Sequence, residues 1–340
     1  MKDYVVELER PDFEIRTDLA VEEKESFPGD GGEIAGVSLR EWHEEDSCIK
    51  VTEVKILDGQ GARAMRKPEG TYLTLEADCQ KGKEDRFYEE AAAELSCHIR
   101  RMIAGLIGKP EEEWDALKIL VVGLGNSQVT PDSLGPEAVG QLPMTRHLES
   151  QYGTGFLKER HLPSLSGIAP GVMAQTGMET AEILQGIIQE TKPELLIAID
   201  ALAARSIRRL GTTIQLTDTG IHPGSGVGNH RHGLTRKSLG IPVLSIGVPT
   251  VVGAAAIVHD TVAALIQVLA ENEGTRGMGQ FIENMESDEQ YMLIRELLEP
   301  EFGSLFVTPP DIDETIRRLS TAISEGIQRA VFDRQDKGNS

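Results

Sequence analysis

Residues 194–229 read ELLIAIDALAARSIRRLGTTIQLTDTGIHPGSGVGN. Leu195–Ile199 is an unbroken apolar run, the pattern of a strand buried on both faces of a parallel sheet. It stops at a carboxylate, Asp200, and an Ala- and Arg-rich helical pattern follows from Ala201 to Leu210. A charged residue at such a junction is expected at the carboxyl edge of the sheet, where open α/β sheets hold their sites. Asp is also a favoured helix N-cap, so capping and catalysis are both open to Asp200, and the two are compatible. The stretch closes with a further strand, Thr213–Leu216, and a loop carrying Asp218, His222, Gly224, Gly226 and Gly228.

Upstream, Lys118–Leu124 (KILVVGL) repeats the design: an apolar strand, then Gly125 and Asn126, then a carboxylate, Asp132. Thr130-Pro131 suits the N-cap and first position of a helix through about Leu142. Pro143–Gly167 reads as irregular. Met178–Glu190 has the spacing of an amphipathic helix, Ile241–Val252 is another apolar strand, and Ala254–Ala270 a helix. Alternating strands and helices over 118–270 predict an α/β fold, a mostly parallel sheet with helices on both faces. Strands are expected before it at Ile34–Leu39, Ile49–Ile56 and Thr71–Glu76, with a helix at Arg86–Ile107. Behind it, 271–288 is polar and weakly patterned, read as an insertion, and Asp311–Phe332 is a final helix. Residues 1–33 are charged and loose apart from an apolar island, Leu19-Ala20-Val21, which suits a short docked strand or an extended segment held in a cleft.

Composition narrows the function. A net charge of −21 disfavours direct nucleic-acid binding. No apolar run approaches the roughly 18 residues that span a bilayer, and the N-terminus lacks the apolar core of a secretory signal. Three scattered cysteines without a CxxC point to a reducing compartment. The chain is read as cytoplasmic, with no membrane partner. No cofactor is expected. Gly123-Leu124-Gly125 places Gln128 where the third glycine of a dinucleotide loop belongs, and Gly224–Gly228 lacks the Lys-Ser/Thr of a P-loop. There is no HExxH and no Gly-x-Ser-x-Gly elbow at a strand–helix turn. Paired carboxylates remain. Two acids held close cannot both ionise cheaply, so one keeps a proton and the pair can activate water and protonate a leaving group. The plain alternative makes Asp132 and Asp200 two independent helix caps.

These residues carry a resemblance. RTDLAVE (Arg16–Glu22), GTYLTLE (Gly70–Glu76), VVGLGN (Val121–Asn126), VTPDSLGP (Val129–Pro136), MTRHL (Met144–Leu148), IAPGVMAQTGMET (Ile168–Thr180), AIDALAARS (Ala198–Ser206), DTGIHPGSGVGN (Asp218–Asn229) and GIPVLSIGVPTVV (Gly240–Val252) appear in the order seen in the germination proteases of spore-forming bacteria, which the chain resembles. Departures are Ser133 in place of an expected Ala, Ser127-Gln128, and the stretch 271–305. The resemblance implies an atypical aspartic peptidase with a core like that of hydrogenase-maturation peptidases, added N-terminal strands and a mobile propeptide arm. It places the catalytic acids on Asp132 and Asp200. From the loop pattern, Gly224, Gly226 and Gly228 are expected near them as backbone positions, with Asn126 and with Asp218 or His222 tuning the acids, and no metal is assigned. It implies small acid-soluble spore proteins as substrates, a homotetramer, and the forespore or spore core as location. Its substrates are cut between an acidic residue and a short apolar segment, and Thr17–Glu22 looks like such a site. Self-cleavage between Asp18 and Leu19 is therefore expected, removing a propeptide of residues 1–18 from one peptidase domain, 19–340, with its core at about 118–270. Two other readings stay open: a metal-assisted maturation-type peptidase using Asp132, Asp200 and His222 as ligands, and a non-catalytic protein binding an anion or nucleotide on the Gly224–Gly228 loop.

Overall fold

Apolar runs become strands wherever both of their faces find a cover. The structure, a computed structural model, describes residues 17–25, 34–43, 47–78, 85–153, 155–224, 232–271, 290–291, 293–294, 296–298 and 305–333. Its strands are β1 (Val37–His43), β2 (Ile49–Ile56), β3 (Gly70–Ala77), β4 (Lys118–Gly123), β5 (Ser164–Ile168), β6 (Leu195–Ala204), β7 (Thr213–Thr217), β8 (Val243–Gly253) and β9 (Phe306–Val307). The helices are α1 (Ala20–Glu25), α2 (Gly59–Met65), α3 (Asp85–Ile107), α4 (Leu134–Gly140), α5 (Arg146–Tyr152), α6 (Phe156–Glu159), α7 (Met173–Thr176), α8 (Thr180–Thr191), α9 (Arg236–Leu239), α10 (Ala254–Glu271) and α11 (Ile312–Phe332).

One sheet holds all nine strands, in the order β1-β2-β3-β7-β8-β6-β4-β5, with β9 on β8. The parallel part is β8-β6-β4-β5. The N-terminal strands and β7 join it antiparallel, as does β9. Strand β7 is antiparallel because only residues 205–212 link it to β6, and a parallel return needs a crossover of a dozen or more residues. Residues 143–167, expected to be irregular, contain α5, α6 and the edge strand β5. SLSGI is short and Gly/Ser-rich, so its strand state depends on pairing with β4.

Alternation along β4 and β6 shows how the layers form. Ile119, Val121, Leu195, Ile197 and Ile199 face a cluster closed by α3, α4 and α11. Leu120, Val122, Leu196 and Ala198 face the opposite side, with Leu184 of α8 and Leu239 of α9. A second cluster on that side joins Leu202 and Ala204 of β6 to Leu19, Val21 and Val252. Asp200 lies between Ala198 and Leu202 on the same alternation, so a carboxylate interrupts an otherwise apolar strand face.

Two expectations are corrected here. The helix expected over Ala201–Leu210 is absent: β6 runs on to Ala204, and only a 3₁₀ turn follows at Ile207–Arg209. Asp200 is thus inside a strand and caps no helix. The Ala-rich sequence favours a helix, yet β8 runs alongside Ala201–Ala204 and pairs with all four residues. Leu202 pairs with Pro249 and Ala203 with Val251, leaving Thr250 as the extra residue of a bulge. The helix expected from Thr130 splits into a 3₁₀ turn, Thr130–Asp132, and α4.

The island Leu19-Ala20-Val21 is neither a docked strand nor extended. It opens α1, and Leu19, Ala20, Val21 and Glu22 are all buried. Residues 1–16 and 26–33, the rest of the expected mobile arm, lie outside the described residues, as does most of the proposed insertion 271–305.

Candidate active site

Glycines bring the two acids to one place. A Cβ on Gly123 would collide with the carbonyl oxygen of Gly135, and one on Gly135 would collide with the carbonyl oxygens of Leu124 and Ile199. The turn carrying Asp132 therefore lies directly against the ends of β4 and β6. Gly125 has φ +111°, and a side chain there would strike the Asp132 carbonyl. Gly135→Ala is expected to lower the thermal unfolding midpoint through a cost of about 1–3 kcal/mol. An unchanged midpoint would show that the turn gives way freely.

Asp132 Oδ2 accepts from the Asn126 N–H at 2.8 Å. Asn126 Oδ1 accepts from the Gln128 N–H and from Gln175 Nε2, which pins the loop. Asp200 is 5% exposed, and its Oδ1 accepts from the Ala201 N–H at 3.0 Å. Both aspartates line a cavity of about 360 Å³ with Asp18, Leu124, Val129, Thr250, Phe306 and Gly224 in its wall. The bulge and β9 are fastened together there, since Thr308 Oγ1 donates to the Thr250 carbonyl.

Of the other residues singled out in the sequence, Gly224 and its neighbour Pro223 line the cavity. Gly226 and Gly228 lie outside the described residues. Asp218 is not in the lining. Its Oδ1 accepts from the Thr71 N–H at 2.8 Å and docks β3 against β7. His222 is also outside the lining and is exposed; partial desolvation, aided by the Lys67 charge, lowers its pKa, and Asp18 opposes this. Asp132, Asp200 and His222 therefore do not assemble as a ligand set, and among the described residues no three His, Cys, Asp or Glu side chains gather as metal ligands. No helix among the described residues is long and apolar enough to cross a membrane.

Asp18 is fixed beside the acids. Its N–H donates to the Ala203 carbonyl, and its Oδ2 accepts from the Ala203 N–H at 2.9 Å. Its own carbonyl oxygen accepts from Lys67 Nζ and from Gln215 Nε2, both at 3.1 Å. Lys67 also donates to the Thr17 carbonyl. Burial holds the Lys67 pKa below that of an ordinary lysine, against the pull of Asp18, Glu23 and Glu22. Sequence reading found neither Lys67 nor Gln215. Lys67 sits in a charged, turn-like stretch with no pattern. Gln215 carries a weak signal: in TIQLT, Ile214 and Leu216 take one face, and a buried strand needs a reason for Gln on the other.

Glu22 anchors the next turn. Its carboxylate accepts from the Arg205 and Ser206 N–H groups and from Thr17 Oγ1. Arg209 Nη1 lies 3.3 Å from it, and the same guanidinium binds Glu25 and Glu76. Although burial opposes it, these carboxylates raise the Arg209 pKa and keep it charged.

A solved [NiFe] hydrogenase maturation protease, HycI from Thermococcus kodakarensis, aligns with 64% of this chain and 97% of its own, at 17% identity and a TM-score of 0.30, a likeness too slight to carry an argument. Sequence relatives are far nearer. A germination protease of Caldanaerobacter subterraneus subsp. tengcongensis is 45% identical over 93% of this chain and 94% of its own length. One of Bacillus subtilis is 37% identical over 98% of this chain and 97% of its own. The family model described as germination protease matches residues 14–276, which include Asp18, Asp132 and Asp200. By that match and these relatives, the chain belongs to the germination protease family.

Proposed function

We propose that the chain is an endopeptidase of the aspartic type, made as a zymogen that cuts itself between Asp18 and Leu19. The observation that carries the reading is the shared cavity: Asp132, Asp200 and Asp18, the residue before the proposed cut, line the same space. One carboxylate takes a proton from water, and the oxygen attacks the carbonyl carbon of the substrate. The other acid, protonated, gives its proton to the leaving nitrogen as the C–N bond breaks. The apolar wall of Leu124, Val129 and Phe306 suits the apolar segment that follows the cut.

The proposal extends to substrate and setting, supported by the resemblance to the family. The substrates are small acid-soluble spore proteins, cut during germination in the spore core, and the active form is a homotetramer of single peptidase domains spanning 19–340. N-terminal sequencing of the matured protein tests the zymogen. A new terminus at Leu19 is expected; an active enzyme that still begins at Met1 or Lys2 rules it out.

A further inference from the structure

We propose that Lys67, together with Gln215 and the Ala203 N–H, forms the subsite that selects an acidic residue on the amino side of the cut. This rests on the reading that residues 1–18 leave. Today the seat is filled by Asp18. The Ala203 N–H holds its carboxylate at 2.9 Å, Lys67 and Gln215 hold its carbonyl oxygen, and the Ala203 carbonyl accepts its N–H. Every polar group of one acidic residue is thus met by a fixed partner, in a wall of the cavity that also holds Asp132 and Asp200.

Processing empties the seat unevenly. Both carbonyls that accept from Lys67, those of Thr17 and Asp18, belong to the departing segment. Asp18, the strongest of the charges that favour the Lys67 ammonium, goes with them. The part-buried ammonium then keeps only the charges of Glu22 and Glu23, and a substrate that restores its two acceptors regains those hydrogen bonds. Gln215 keeps its orientation, because its Oε1 accepts from the Ala20 N–H, which stays. Its Nε2 therefore remains aimed into the vacated seat. A substrate with Asp or Glu at this position returns a carboxylate to the Ala203 N–H and a carbonyl to Lys67 and Gln215. The amide of Asn or Gln has the shape without the charge.

The test uses matured enzyme and two peptides with the sequence of residues 12–25, one with Asp and one with Asn at position 18. The wild type is expected to favour the Asp peptide about 10- to 100-fold in kcat/KM, the range of a hydrogen-bonded charge. Lys67→Met is expected to slow both peptides, because each offers the carbonyl that Lys67 holds, but to slow the Asp peptide more and so bring the ratio within about threefold, whereas Lys67→Arg retains most of the preference. Gln215→Glu keeps the acceptor for Ala20 but turns a carboxylate toward the seat, and is expected to favour the Asn peptide. Variants that do not process themselves are first cut by tagged wild-type enzyme, which is then removed. A preference unchanged in both Lys67→Met and Gln215→Glu overturns the proposal. Wild-type enzyme that leaves the 18–19 bond intact in the chain and in both peptides instead overturns the zymogen reading beneath it.

Discussion

Asp132→Asn and Asp200→Asn are each expected to reduce peptide cleavage by at least about 10²- to 10⁴-fold, the usual contribution of a general acid or base, while the protein stays folded. The fold is expected to survive because an asparagine oxygen can still accept from the Asn126 N–H at 132, or from the Ala201 N–H at 200. The amide matches the carboxylate in size, so the turn held by Gly123, Gly125 and Gly135 is undisturbed. What goes is the capacity to take or hold a proton. Self-processing and cleavage of an added peptide should fall together, since both use the same cavity. Circular dichroism and the thermal midpoint serve as controls. A cleanly folded single variant with near-wild-type turnover would remove that aspartate from the mechanism.

Arg209→Met frees the arm. Glu22 and Arg209 have side-chain exposures of 2% and 12%, so the ion pair is desolvated. Removing one partner of a buried pair costs about 3–5 kcal/mol, because the other charge stays buried without it. The Arg205 and Ser206 N–H groups still reach Glu22, but they bring no net charge. Since α1 is only a short helix fastened at its ends, this cost falls on its docking and not on the sheet. Hydrogen exchange of the Val21–Glu25 amides should quicken by roughly 100-fold or more, while β4 and β6 keep their protection. Equal protection of α1 in both proteins would show that Leu19, Ala20 and Val21 hold it by packing alone.

Much of this molecule follows from local pattern. The runs 119–122, 195–199 and 243–248 are apolar at every position but Ser245 and Gly247, and such a run is stable only with both faces covered. That requirement alone produces the parallel core and its helical layers. The two aspartates were legible for a related reason, each being a carboxylate just past or within a run that otherwise excludes charge. Tertiary structure decided what pairing and distance control. Ala201–Ala204 became strand because β8 lay beside it, overriding helix propensity. Leu19-Ala20-Val21 became the start of a helix because its apolar side chains meet two separate clusters, Leu19 and Val21 joining one and Ala20 the other. Lys67 and Gln215 converge on the Asp18 carbonyl from the turn before β3 and from β7, respectively. Their sequence neighbours say nothing of that meeting, because only a folded sheet brings residues 18, 67 and 215 within hydrogen-bonding distance of one another.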